Sequence, residues 1–214
     1  MAYRYECESW QGMVQQVVLF MSSGYTRYCH LVIPDRKLDQ AGRIDRKLIQ
    51  KYQCDLSKDQ RYRRKKKNEV NFHYLRWHNL ALILQCPGTI GPEILYDDKF
   101  SDVLKNPLHL VVSDYLTLKV VKSQQGWTVC MSRDTYREAK AQLFEKIIHV
   151  SKSEIMDQYN KLNGLPAWRG IIEQRRRLQE FVISATKRHR GIRLWKEELF
   201  NNTHKCPRQV YTAR

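Results

Sequence analysis

Residues 60–85 read QRYRRKKKNEVNFHYLRWHNLALILQ, and the chain changes character in the middle of them. Six of the seven residues from 61 to 67 are Arg or Lys, with Tyr62 the exception. Over 53–67 no apolar residue recurs with a helical or strand period, so this segment is expected as a loop or an exposed arm. From Val70 the pattern turns apolar and aromatic. Residues 71–85 are expected to supply one or two strands, with LALIL at 80–84 buried. If 70–76 is a strand, Phe72, Tyr74 and Arg76 share one face, while His73, Leu75 and Trp77 share the other. Only one of the two sets can then meet a ligand if the other meets a core.

Outward from this stretch the elements follow a simple order. Residues 13–21 (MVQQVVLFM) read as a strand or a short buried helix, stopped by Gly24. Residues 25–33 read as a strand, ended by Pro34. Asp35 can cap a helix to about Tyr52, whose apolar face holds Leu38, Ala41, Ile44, Leu48 and Ile49. Pro87-Gly88 and Gly91-Pro92 are turns, and 94–105 reads as a short helix or lid. Strands are expected at 108–112, 115–121 and 127–131, with Gln124-Gln125-Gly126 as a hairpin signal. Ser132 caps an amphipathic helix to about Val150, and Ser151 with Glu154 forms a capping box for the next. Pro166 suits the start of a helix reaching about His189, which Gly191 ends.

Strands with a helix, more strands, then helices argue for an α+β fold. The expected architecture is a mixed or antiparallel sheet domain over 1–150 with two packed amphipathic helices, and a helical basic region over 151–200. Residues 201–214 are expected to be a mobile tail.

The chain has 214 residues and a net charge of +16, unevenly placed. Residues 61–80 hold seven Lys/Arg against one Glu, and 151–214 hold fourteen against six Asp/Glu. Charge clustered in this way points to a polyanion more strongly than the total does. The six cysteines form no C-x-x-C pair, and residues 1–10 have no apolar leader segment. Reduced thiols in a cytoplasmic or nucleoid-associated protein with no membrane partner are the expectation, with Cys29 and Cys130 as small core residues.

Four groups of residues bear on chemistry. The basic run supplies Arg61, Arg63, Arg64, Lys65, Lys66 and Lys67 for phosphates, with Tyr62, Tyr74, Arg76 and Trp77 beside them for stacking and further charge. On the C-terminal helix Arg169, Arg176 and Arg177 are close in phase, and Lys187, Arg188 and Arg190 extend them. Arg175, Arg176 and Arg177 fan around the helix by about 100° each and cannot all face one ligand. Asp97-x-Lys99 resembles the D/E-x-K half of the PD-(D/E)xK nuclease pattern, without its Pro-Asp. With Glu69 upstream, that resemblance implies a Mg²⁺ site for phosphodiester hydrolysis. The histidines do not make a pair flanking one apolar residue, as single-strand nucleases of that kind need, and His204 with Cys206 lacks two further zinc ligands. The common nucleotide-binding, esterase and metalloprotease motifs are missing.

The reading that results is a nucleic-acid-binding protein that grips phosphates with a basic arm and an arginine-rich helix and requires no cofactor. RNA or single-stranded nucleic acid is slightly favoured, because exposed rings profit only from unstacked bases. A ribonucleoprotein subunit or a mobile-element accessory factor fits this, with other protein subunits as further partners. The alternatives are a Mg²⁺-dependent endonuclease using Glu69, Asp97 and Lys99, and an interaction protein for an acidic partner.

Overall fold

A computed structural model of the chain describes residues 3–91, 94, 98–201 and 209–212. The fold is α+β, with its strands paired antiparallel in the sheets described below and a helical C-terminal region. The contacts divide the chain into two compact units, Met1–Leu108 with Pro207–Arg214, and His109–Cys206. The three C-terminal strands therefore belong with the helices that follow them rather than with the first sheet.

In the first unit α1 (Trp10–Ser22) is a helix, capped by the Ser9 side chain, which accepts from the Gly12 N–H. Its buried residues Met13, Val14, Val17 and Met21 recur at helical spacing, which decides the strand-or-helix ambiguity of that run. Strand β1 (Arg27–Val32) follows. A 3-10 turn (Asp35–Gln40) leads into α2 (Ala41–Lys51), so the expected single helix from Asp35 is broken at its start. Helix α3 (Lys58–Lys66) replaces the expected loop or arm. Strands β2 (Phe72–Trp77) and β3 (Leu80–Gln85) form a hairpin, with β4 (Ser101–Asp102) a short edge. The sheet order is β2-β3-β1-β4.

Both faces of this sheet are covered, which explains why β3 reads as an unbroken apolar run. On one face Phe72, Tyr74, Ala81 and Ile83 pack with Ile49, Tyr52 and Phe100. On the other, His73 and Leu75 stand opposite Leu84 and Leu82. Phe20 of α1 stacks on His73 on that side, ring centroids 3.8 Å apart.

A fully buried carboxylate, Asp45 (0% exposed), ties α2 to the sheet. It accepts from the Tyr74 hydroxyl at 2.7 Å and from Arg76 Nε at 3.0 Å. Arg76 also meets Glu6 at 2.6 Å. A buried charge is tolerated only when paired in this way. The chain end is also tied down. Tyr211 bridges Cys7, and its hydroxyl donates to Gln16 Oε1 at 3.2 Å, so residues 209–212 are not the free tail that was expected.

In the second unit β5 (Leu108–Ser113), β6 (Leu116–Ser123) and β7 (Gly126–Met131) form a three-stranded sheet in that order. Helices α4 (Arg133–His149), α5 (Lys152–Asn160) and α6 (Arg169–Arg190) follow. Ser132 caps α4, and the Ser151–Glu154 capping box starts α5 as the sequence predicts. Helix α6 lies so close on β7 that a Cβ at Gly170 would sit 2.5 Å from the Val129 carbonyl oxygen. Only glycine fits that approach. Among the described residues no helix is long and apolar enough to cross a membrane.

Candidate nucleic-acid interface

Helix α3 is unusual in that it buries none of its residues. Nine residues are too few for a stable isolated helix in water. Its stability must come from its ends and from side chains that reach back. Ser57 accepts from the Gln60 N–H, and Gln60 reciprocates on the Ser57 N–H. Such a cap contributes roughly 0.5–2 kcal/mol. Arg61 turns inward and donates to the Cys54 carbonyl oxygen at 2.9 Å. Arg64 also turns inward, to Gln53 at 2.9 Å and Glu69 at 3.3 Å. Asn71 Nδ2 donates to the Arg61 carbonyl oxygen at 3.1 Å.

The C-terminal end of α3 is held from the other side of the sheet hairpin. The Thr89 N–H donates to the Asn68 carbonyl oxygen at 2.7 Å, and the Val70 N–H to the Thr89 carbonyl oxygen at 3.0 Å. This close approach passes over Gly88, where φ is +153° and a Cβ would lie 2.7 Å from the Asn68 oxygen.

The remaining cations of the run, Arg63, Lys65, Lys66 and Lys67, are exposed. Tyr62 stands among them at 59% exposure, with Lys66 Nζ 4.9 Å from its ring centroid. Four of these charges fall at the helix C-terminal end, where the macrodipole favours them by roughly 0.3–1 kcal/mol each. Their mutual repulsion works against that gain, and a bound anion would relieve it.

Between α3, the end of α1 and β2 lies a cleft of about 860 Å³. Lys58, Arg61, Tyr62 and Lys65 line it from α3, with Leu19, Phe20, Ser23 and Tyr25 from the α1 end. Asn71, His73 and Cys86 complete it. Tyr25 leans on His73, ring centroids 4.6 Å apart. Burial pushes the His73 imidazole down to about 3, and the Arg61 guanidinium acts in the same direction. Burial likewise pushes the Tyr25 hydroxyl up to about 12. The aromatic wall is therefore neutral at ordinary pH.

Several expected contacts are not available to a ligand. Tyr74 and Arg76 are buried on the α2 side of the sheet and held by Asp45. Trp77 is half-buried and lines a separate cleft whose walls include Glu6 and Glu8. Two carboxylates there oppose a phosphate.

On α6 the arginines divide by job. Arg175 is 1% exposed and donates to Asn163 Oδ1 at 3.1 Å. Arg169 donates to Gln125 at 2.6 Å and to the Ser123 hydroxyl. Arg190 donates to the Ile147 and Val150 carbonyl oxygens at 3.1 and 2.7 Å, closing the end of α4. Arg176, Arg177, Lys187 and Arg188 remain exposed. Glu180, one turn beyond Arg176, interrupts their face.

The carboxylates of the nuclease alternative are not brought together by what is described. Glu69 pairs with Arg64, Lys99 is exposed, and Asp97 lies outside the described residues, as do His204 and Cys206. The neighbouring Asp98 is held by Lys51 at 2.8 Å and by the Tyr52 hydroxyl, and these bonds lower its pKa. Among the described residues no group of three His, Cys, Asp or Glu side chains is arranged to hold a metal ion. Cys7, Cys29, Cys54, Cys86 and Cys130 are free thiols, with Cys130 only half-buried.

What the sequence missed at this site is the cleft itself. The Ser57-x-x-Gln60 capping signature was visible and marks α3. The meeting of Phe20, Tyr25, Asn71 and His73 depends on strand pairing, for which local pattern carries no signal. Fold and surface together define an α+β protein with an anchored cationic helix beside an aromatic cleft. Neither protein-family models, curated protein sequences nor solved structures match this chain.

Proposed function

We propose that this protein binds nucleic acid, with α3 as the principal contact. Arg63, Lys65, Lys66 and Lys67 meet phosphates, while Arg61 and Arg64 hold the helix in place. The observation that carries the reading is that α3 has no fully buried residue yet is anchored at both ends, which supports presentation of its outward cations to a partner. Phosphate contacts of this kind make affinity fall steeply with salt. Exposed Tyr62 favours a strand with unpaired bases, RNA or single-stranded DNA. Arg176, Arg177, Lys187 and Arg188 on α6 offer a second and weaker surface, because Glu180 interrupts it and the helix dipole already accounts for charge at its end.

The test is a titration of the full chain with labelled single-stranded RNA, single-stranded DNA and duplex DNA, at two salt concentrations, with Mg²⁺ and with chelator. Salt-sensitive binding with strands left whole supports the reading. Strands shortened only in Mg²⁺ replace it with a nuclease, and no binding to any of the three overturns it.

A further inference from the structure

Three polar side-chain atoms along the α3 cleft have no hydrogen-bond partner: Arg61 Nε, Asn71 Oδ1 and His73 Nδ1. Asn71 is 2% exposed and His73 is 8% exposed. An unsatisfied buried polar group costs roughly 1–3 kcal/mol, and proteins rarely keep one without a reason. Here the three belong to residues that line one cleft, and they include a donor, an acceptor and an imidazole nitrogen able to serve as either. Beside them Phe20 is stacked on His73 with Tyr25 set edge-on against the pair, an apolar cluster on the cleft wall, and Tyr62 adds an exposed ring. Lys58 and Lys65 are exposed at the rim.

We infer that this cleft receives a single unstacked nucleotide, its base against Phe20 and Tyr62 and its phosphate at Lys58 and Lys65. Every nucleobase offers on its edge both donors and acceptors, which Asn71, His73 and Arg61 would meet once side-chain rotation brings these buried atoms to the cleft surface. A volume of about 860 Å³ is ample for one purine nucleotide. An apolar ligand would leave the three polar atoms unsatisfied, and an inorganic anion would leave the rings unused. The proposal rests on the nucleic-acid reading where the nucleotide belongs to a strand, but the same chemistry admits a free nucleotide. His73 stays neutral down to about pH 3, so recognition is expected to be indifferent to pH between 5 and 8.

The experiment uses the full chain and short single strands of one length, one with all its bases and one abasic at its central residues. Base stacking predicts that the abasic strand binds about 5- to 150-fold more weakly with the same salt slope. A strand carrying 2-aminopurine at the centre should change its fluorescence on binding. Leu19→Trp enlarges an exposed side chain that lines the cleft and is designed to fill it, and it changes no charged residue and none of the three with orphaned atoms. This variant should bind the complete strand no better than the abasic one, and should silence the 2-aminopurine signal. A third arm titrates the wild type and the variant with each nucleoside 5′-monophosphate and with inorganic phosphate.

Equal binding of complete and abasic strands by the wild type overturns the pocket and leaves phosphate binding by α3 standing. Binding of a monophosphate but of no strand, lost in Leu19→Trp, upholds the pocket and overturns the nucleic-acid reading. No binding of strand or monophosphate overturns both. The wild-type arms decide the question even if the variant does not fold.

Discussion

Helices α3 and α6 carry arginine runs of similar density, yet they use them in opposite ways. Helix α6 is amphipathic and buries eight residues, including an arginine. It would be a helix for packing reasons whatever its charges did. Helix α3 buries no residue and exists because its ends are tied and two guanidiniums reach back. A charge run on a helix that already has a structural purpose can be solvated surface. A charge run whose helix has no other purpose, and which the fold nevertheless anchors at both ends, is a stronger candidate for contact with a partner.

The largest expected effect separates the two helices. Arg63, Lys65, Lys66 and Lys67 changed together to Ala should weaken single-strand binding on the order of 100- to 1,000-fold at 0.1 M salt, and lower the salt slope by roughly 3. The matching change of Arg176, Arg177, Lys187 and Arg188 should lower it by less. Equal slopes for the two variants, read from binding isotherms at four salt concentrations, would erase the distinction.

Next comes the contrast within α6. Arg175→Ala removes a fully buried side chain and should cost about 2–5 kcal/mol in urea unfolding. Arg176→Ala should stay within about 0.5 kcal/mol. Similar costs for the two neighbours would mean that burial does not sort these arginines.

The sequence made the packed regions legible and the candidate site only half so. Helices α4 and α5 were readable because Ser132 and Ser151 cap helices with buried stripes. The hairpin β2–β3 was readable from its apolar run. Helix α3 escaped because periodicity detects a buried face and it has none; only Ser57 and Gln60 mark it. Tyr74, expected beside a ligand, is instead held inside by Asp45, and alternation and period say nothing of a buried carboxylate on α2.

A smaller effect bears on the cleft beside α3. The His73 pKa is lowered from its ordinary 6.5 to about 3 in the folded protein. Between those values the unfolded chain binds more protons, so the stability contributed above pH 6.5 is lost as pH falls through that window. The loss from this group approaches about 1.36 kcal/mol per pH unit well inside the window. His73→Gln should lack that part of the acid sensitivity in urea unfolding at pH 7, 5.5 and 4.5. Parallel stability profiles would mean that His73 is not held neutral by its surroundings.

The smallest effect tests the cap. Ser57→Ala should cost roughly 0.5–2 kcal/mol, expressed as fraying of α3. Strand affinity should fall with it, because the presented cations lose their fixed spacing. The corresponding Ser151→Ala in the second unit should cost a similar amount and leave affinity unchanged.

Amide hydrogen exchange on the full chain, with and without a saturating single strand, reads the two helices in one experiment. The account predicts new protection over residues 57–73 and over the α1 end at 19–25, exceeding any change over 169–190. Protection confined to 169–190, with α3 exchanging as it does in the free protein, would contradict it.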